Sequence, residues 1–402
     1  MTDTAPTLMP PELTLRHCRL PEWQGLFDVA LANGRIAAIT PSEEAPPAGP
    51  LRDLGGWLLL PSLVNGHIHL DKTFLGAPWR SHVPGASIAA RIAAEAQERS
   101  LVPLPLAARA RHLAERSLAW GVTALRSHVD VDEAVGLAHV EALLALREEL
   151  AGRIDIQLVA FPQGGLSGRV PALMDQALAL GVEVVGGLDP AGIDGDIEAH
   201  LGTVFGLAEK HGRRVDIHLH DPGTLGAFEL RRIAAHTRAR GMAGQVAVSH
   251  AFALGMLAPE EAAATADALA EAGVAILTNG PGADAMPPLA LLMDAGVRVF
   301  AGSDNVRDAW SPYGDGDMLR RASLIGYLAD WREDEGLVAA YGLASNEARA
   351  ALGLPPVALS PGMPADLIAL PATDIPEAVA DPPPARLVLR AGRVIAPAVQ
   401  PI

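Results

Sequence analysis

From residue 61 to about 350 the chain alternates short apolar runs of β character with longer segments whose apolar residues recur at helical spacing. The runs cover residues 63–71, 122–130, 155–163, 182–188, 215–221, 246–251, 274–279 and 297–304. Segments such as "LAHVEALLALREEL" and "PEEAAATADALAEAG" lie between them and read as helices. Several of these stop at a glycine just before the next run, as in "AWGVTAL", "ALGVEVV", "EAGVAIL" and "DAGVRVF", which is how a helix ends. Eight strand-then-helix units close most economically into a (β/α)8 barrel, with an open doubly wound sheet as the competing arrangement.

The two ends of the chain carry a different pattern. "ELTLRHCRL", "FDVALANGRIAAIT" and "GGWLLL" near the start, and "ADLIALP" and "ARLVLRAGRVIAP" near the end, read as short strands and turns. The expected organisation is an α/β chain in which residues 61–354 form a TIM-like barrel. Residues 1–60 and 355–402 then combine into a small β-sandwich beside it. "SEEAPPAG" and "ATDIPEAVADPPPA" read as Pro-rich surface loops.

Composition narrows the function. Hydrophobic residues make up 50% of the chain and charged ones 19%, a globular balance rather than a disordered one. No apolar run is long enough to cross a bilayer, and "MTDTAPTLMPPEL" has no basic stretch leading into an apolar one, so neither a membrane anchor nor a secretory leader is expected. The single Cys18 precludes an intramolecular disulfide and fits a reducing, cytoplasmic location. A net charge of -16 repels polyanions, which argues against a nucleic-acid polymer as partner but not against a small base. The basic residues are almost all arginine, with lysine only at 72 and 210.

Active groups of a (β/α)8 barrel project from the C-terminal ends of its strands. Here strand 1 ends "HIHLD", strand 2 "RSHVD", strand 3 "FPQ", strand 5 "IHLHD", strand 6 "VSHA" and strand 8 "GSDN", so six of the 13 histidines fall at strand ends. Alternation along a strand puts His67 and His69 on one face, and likewise His218 and His220. His67, His69, one histidine of strand 5 and Asp304 would offer three nitrogens and one oxygen to a divalent ion such as Zn2+, leaving a position for water. A lone His-x-His is often only a half-buried strand. Its recurrence with a carboxylate on the eighth strand favours a metal centre.

"PSLVNGHIHLDK", "RSHVDVD", "VAFPQGG", "IHLHDPGT", "VSHA" and "GSDNVRDAWSPYGDGDM" together resemble the motif series of the amidohydrolase superfamily. Within it they resemble the cytosine deaminase branch, and more closely its isopropylammelide-type aminohydrolases. The similarity runs through nearly the whole chain. The resemblance implies metal ligands His67, His69, His218 and Asp304, with His250 over the developing oxyanion or sharing in proton transfer. Cytosine deaminases carry a glutamate three residues after the strand 5 ligand as proton shuttle. Here that residue is Asp221, preceded by His220. His220 is the preferred shuttle because it exchanges protons near neutral pH, and Asp221 either orients a neighbour or caps the following helix.

By the same resemblance Gln163 reads a ureide-like edge of a ring, Asn305 stands where cytosine deaminase has aspartate, and Trp310 closes over a flat ring. Lys72 follows the strand 1 motif and either binds an anionic ring oxygen or pairs with Asp71 or Asp130. His128 and Asp130 are expected to support the strand 1 ligands. Binuclear members bridge two ions with a strand 4 lysine; "VEVVGGLDP" has none, so one divalent ion is expected. Zn2+ comes first, with Fe2+ and Mn2+ also suited.

The expected activity is therefore metal-dependent hydrolysis of an exocyclic C–N bond on a small N-heterocycle such as a pyrimidine or hydroxy-triazine, by a homo-oligomer. A cyclic amidase opening a lactam or imide ring is the alternative. A non-catalytic metal- or base-binding module is the third reading.

Overall fold

The computed structural model describes residues 11–43, 49–82, 85, 87–281 and 285–396. Eight strands in sequence order, β6 to β13, form one parallel sheet. They are β6 Leu63–Ile68, β7 Val122–Asp130, β8 Asp155–Phe161, β9 Val184–Leu188, β10 Arg214–Leu219, β11 Val246–His250, β12 Val274–Thr278 and β13 Val299–Ala301. Helices alternate with the strands, and the sheet is nearly closed on itself: this is the (β/α)8 barrel expected from the alternation.

Closure runs through the strand ends that carry the chemistry. Ile68 bridges Asp304 in parallel fashion, and the Asp304 N–H donates to the His67 carbonyl at 2.8 Å. Two glycines permit this approach. A Cβ on Gly302 would sit 2.5 Å from the His67 Cβ, and one on Gly66 would sit 2.4 Å from the Phe300 ring.

Every barrel strand that the sequence placed is present, but most end earlier than the apolar pattern suggested. β11 stops at His250 and β13 at Ala301. At β11 the cause is backbone: His250 (φ +75°) and Ala251 (φ +48°) are left-handed, which breaks the ladder, and Asp304 (φ +60°), beyond the end of β13, is left-handed as well. His69, Gln163, His220 and Asp304 sit on the loops that leave the strands rather than in the strands themselves.

The terminal segments supply β1 Leu13–Cys18, β2 Phe27–Ala32, β3 Arg35–Pro41, β4 Leu51–Asp53 and β5 Leu58–Pro61, then β14 Leu367–Leu370, β15 Leu387–Arg390 and β16 Arg393–Ala396. They form two four-stranded sheets, ordered β3-β2-β1-β4 and β16-β15-β14-β5. β5 from the early segment pairs antiparallel with β14 from the late one. Leu15, Val29, Leu59, Leu367 and Leu389 from both sheets meet in one apolar cluster. "ATDIPEAVADPPPA" is not wholly loop: Ile375–Ala380 is a helix, begun by Asp374, whose side chain accepts from the Glu377 N–H, and anchored by buried Ala378 and Val379. "MTDTAPTLMPPEL", where no leader was expected, and "SEEAPPAG", expected to be a Pro-rich loop, lie mostly outside the described residues. No helix among the described residues is long and apolar enough to cross a membrane.

Candidate active site

A cavity of about 1050 Å³ opens at the C-terminal mouth of the barrel and is lined by His69, Lys72, Gln163, His218, His220, His250, Asp304, Asn305 and Trp310, among others. At its floor the rings of His67, His69, His218 and His250 converge, with His128 beneath. Ring centroids of His67 lie 5.2 Å from His69, 4.6 Å from His218, 5.3 Å from His250 and 4.0 Å from His128. Burial holds His218, His250 and His128 well below the ordinary histidine range, and the mutual repulsion of the crowded rings adds to the effect, so these imidazoles are neutral at physiological pH.

Several ring nitrogens face no hydrogen-bonding group: both nitrogens of His218, both of His128, and the Nδ1 atoms of His69 and His250. His67 Nε2 and His69 Nε2 instead point at each other across 3.3 Å, and Asp304 Oδ1 lies 3.5 and 3.4 Å from them. A tetrahedral ion with bonds of ~2.0–2.1 Å spaces its ligands by roughly 3.3–3.4 Å. The three donor atoms thus have the separation that one shared cation requires. His67 also belongs to two sets whose donor atoms lie within 4.8 Å of one another: one with His128 and His218, the other with His250 and Asp304.

The surroundings hold these donors in place. His67 Nδ1 meets Ser249 Oγ at 2.9 Å, the Ser249 hydroxyl donates to Asp216 Oδ1 at 2.7 Å, and Arg126 donates to Asp216 Oδ2 at 2.7 Å. All three residues are buried inside the barrel, so this chain fixes the ring and turns Nε2 upward. Asn279 Nδ2 donates to Asp304 Oδ2 at 2.9 Å, leaving Oδ1 towards the histidines. Burial works to protonate Asp304, but His250 and the hydrogen bonds of His67 and His69 outweigh it and hold the carboxyl well below its usual range.

His220 Nδ1 lies 2.9 Å from Asp189 Oδ2, and its ring stacks on His250 at 4.6 Å. Asp189 ends the fourth barrel strand, where the sequence showed only a missing lysine. Asp221 does not line the cavity; its Oδ2 accepts from the Gly192 N–H at 2.9 Å. It does not cap the next helix either, since Gly223–Ala239 starts from Pro222 with no side-chain cap.

On the other side of the cavity Lys72 Nζ lies 3.1 Å from Glu95 Oε2 and 3.0 Å from Asp130 Oδ1. Burial works against the charge, but Asp130, Glu95 and Asp71 outweigh it and raise Lys72 above the ordinary lysine range. Asp130 thus pairs with Lys72 and, through Oδ2 at 3.4 Å, with Arg99, not with His67 or His69, and His128 touches His67 by ring packing without a hydrogen bond. The same Glu95 oxygen accepts from Gln163 Nε2 and Trp310 Nε1, both at 2.6 Å. Asn305 donates to Asp308 Oδ2 at 2.6 Å. Glu95, Asp189, Asp216 and Ser249 were not singled out from the sequence. The available signal was polarity inside strands buried along nearly their whole length, as at Asp216 and Ser249.

A (β/α)8 barrel with histidines and an aspartate gathered at its C-terminal mouth has its polar groups where enzymes of this fold carry their active sites. The chain belongs to the amidohydrolase family, whose pattern matches residues 51–396. It is thereby a hydrolase of carbon–nitrogen bonds in cyclic compounds. The chain is similar to the crystal structure of N-isopropylammelide isopropylaminohydrolase from Burkholderia multivorans ATCC 17616, with 40% identity, a TM-score of 0.91, and 96% of this chain and 98% of that one covered. It is also similar to 5-methylcytosine deaminase from Klebsiella pneumoniae liganded with 5-fluorocytosine, with 28% identity, a TM-score of 0.83, and 97% and 98% covered. The uncharacterized protein YahJ of Escherichia coli (strain K12) is 35% identical over 75% of this chain, which spans 66% of that protein's length.

Proposed function

We propose that the protein is a mononuclear metal-dependent aminohydrolase that removes an exocyclic amine from a small N-heterocycle, a pyrimidine or hydroxy-triazine. The observation that carries this reading is the triangle of His67 Nε2, His69 Nε2 and Asp304 Oδ1, with edges of 3.3 to 3.5 Å and no cation of the protein's own among them. His218 is the fourth ligand: it faces the cavity with both nitrogens unpartnered, whereas His128 does not line the cavity. Similarity to an aminohydrolase of a triazine and to a pyrimidine deaminase supports the substrate class.

A divalent ion held by these four groups, Zn2+ in the first instance and Fe2+ or Mn2+ otherwise, supplies Lewis acidity that brings the pKa of water towards neutrality. The protein's own groups do the rest. His220, its Nδ1 held by Asp189, carries a proton from water to a ring nitrogen. Asp304 accepts the second proton and delivers it to the leaving amine. His250, neutral and lining the cavity, donates to the oxygen on which negative charge develops. Water and the substituted ring become the oxo ring and ammonia or a small alkylamine. Lys72, Gln163, Asn305 and Trp310 form the wall against which the ring lies.

The test is a panel of cytosine, isoguanine, ammelide and N-alkyl ammelides, followed for amine release and for ring absorbance alongside elemental analysis. The expected result is one equivalent of metal and amine release with the ring intact. Loss of the ring without amine release would sink this reading in favour of a cyclic amidase.

A further inference from the structure

One buried residue determines how the wall facing the ring can bond. Glu95, on the helix Ile88–Ser100, does not line the cavity, while Lys72, Gln163 and Trp310 do. Its Oε2 meets a donor from each: Lys72 Nζ at 3.1 Å, Gln163 Nε2 at 2.6 Å and Trp310 Nε1 at 2.6 Å. An ionised carboxylate only accepts, so the Gln163 amide must turn its nitrogen to Glu95 and its oxygen away. That oxygen is buried and has no partner within the protein. Burial works against the Glu95 charge, but Lys72 and the Trp310 and Gln163 bonds outweigh it and hold the carboxyl below its usual range.

We propose that Glu95 is a positioning residue that sets the hydrogen-bond polarity of the substrate wall, so that Gln163 presents an acceptor beside the Lys72 donor and the cavity selects rings whose edge reads N–H next to a carbonyl or oxyanion. The proposal rests on the cavity being the N-heterocycle site. It goes further by fixing which edge of the ring enters and which residue enforces the choice. With glutamine at 95, the side chain can donate as well as accept, and the Gln163 amide is released to turn over.

The measurement is calorimetric titration of the metal-loaded, full-length protein with cyanuric acid, whose ring nitrogens carry hydrogens, and with trimethyl isocyanurate, whose nitrogens do not. The wild type is expected to bind the N–H ring at least about tenfold more tightly, and Glu95→Gln to cut that preference by about tenfold with metal content unchanged. Gln163→Leu is expected to abolish the preference, and adding Glu95→Gln to it to change nothing more, a coupling that mere structural damage would not produce. The proposal is overturned if the wild type shows no preference, if Glu95→Gln retains it in full, or if the Glu95→Gln effect persists with leucine at 163. A Gln163→Leu protein that keeps the preference overturns it equally, whether or not the Glu95 variant folds. A protein that binds these rings with this preference yet releases no amine from the substrate panel would sink the aminohydrolase reading and leave this inference standing.

Discussion

The cavity has two poles that look alike as lists of residues and differ in what they lack. At one, His67, His69, His218 and Asp304 converge with ring nitrogens that reach no donor or acceptor. At the other, Asp71, Asp130 and His139 also bring their donor atoms within 4.8 Å of one another. There the protein's own groups already pair: Lys72 Nζ lies 3.0 Å from Asp130, and His139 Nδ1 lies 2.9 Å from Asp71. Proximity of ligand-type side chains therefore does not define a metal centre. What separates the two poles is whether the protein supplies its own cation, because buried carboxylates and imidazoles must be compensated by something. Among the described residues no lysine or arginine reaches ion-pair distance of Asp304, since Arg321 donates to the Asn279 and Ser303 carbonyls, whereas the lysine pole carries its cation.

Asp304→Ala should test the contrast most severely. It removes the carboxylate that closes the triangle, so metal content should fall and amine release drop to background, while far-ultraviolet circular dichroism stays that of the folded barrel. Retention of one full equivalent of metal would show that the triangle is not the ligand set. His220→Gln comes next, with an expected loss of roughly 10²–10⁴ in kcat at unchanged metal content. A parallel loss of metal would instead place His220 among the ligands.

The contrast between the poles was only half legible in the sequence. The strand-end histidines and Asp304 stood out because their spacing along each strand and their position at its end are local patterns. The barrel was legible for the same reason, since apolar runs and glycine stops repeat unit by unit. Glu95 was not, because an acidic residue in "AAEAQERS" reads as the solvated face of a helix; only the fold of Ile88–Ser100 over the barrel mouth buries it against Lys72, Gln163 and Trp310. Asp189 directly follows the strand Val184–Leu188, and a lone aspartate before proline in "GGLDP" reads as a turn residue. The early end of β11 was unreadable because His250 and Ala251 take left-handed backbone conformations, which a histidine favours only weakly and an alanine not at all.

Lys72→Met tests the opposite pole. It leaves Glu95 and Asp130 buried with only Arg99, 3.4 Å from Asp130 and 4.0 Å from Glu95, as a cation, and should cost about 3 kcal/mol in chemical denaturation. Metal content should be unaffected if the two poles are independent. A protein of undiminished stability would mean that Lys72 does not compensate those carboxylates.

The smallest effect expected is also the most discriminating, because it reaches the histidine pole from below. Ser249 is the link between His67 Nδ1 and the buried Arg126–Asp216 pair. Ser249→Ala removes no ligand, yet it frees the His67 ring and leaves Asp216 Oδ1 without the hydroxyl that satisfied it. Metal affinity should fall by ~10–100-fold, with kcat at saturating metal changed little. The same substitution should leave the stability contribution of Lys72 untouched, since no contact in the Arg126–Asp216–Ser249 chain reaches Glu95 or Asp130. A metal affinity that does not move would show that packing against His128 and His218, not the hydrogen-bonded chain, holds the His67 ring.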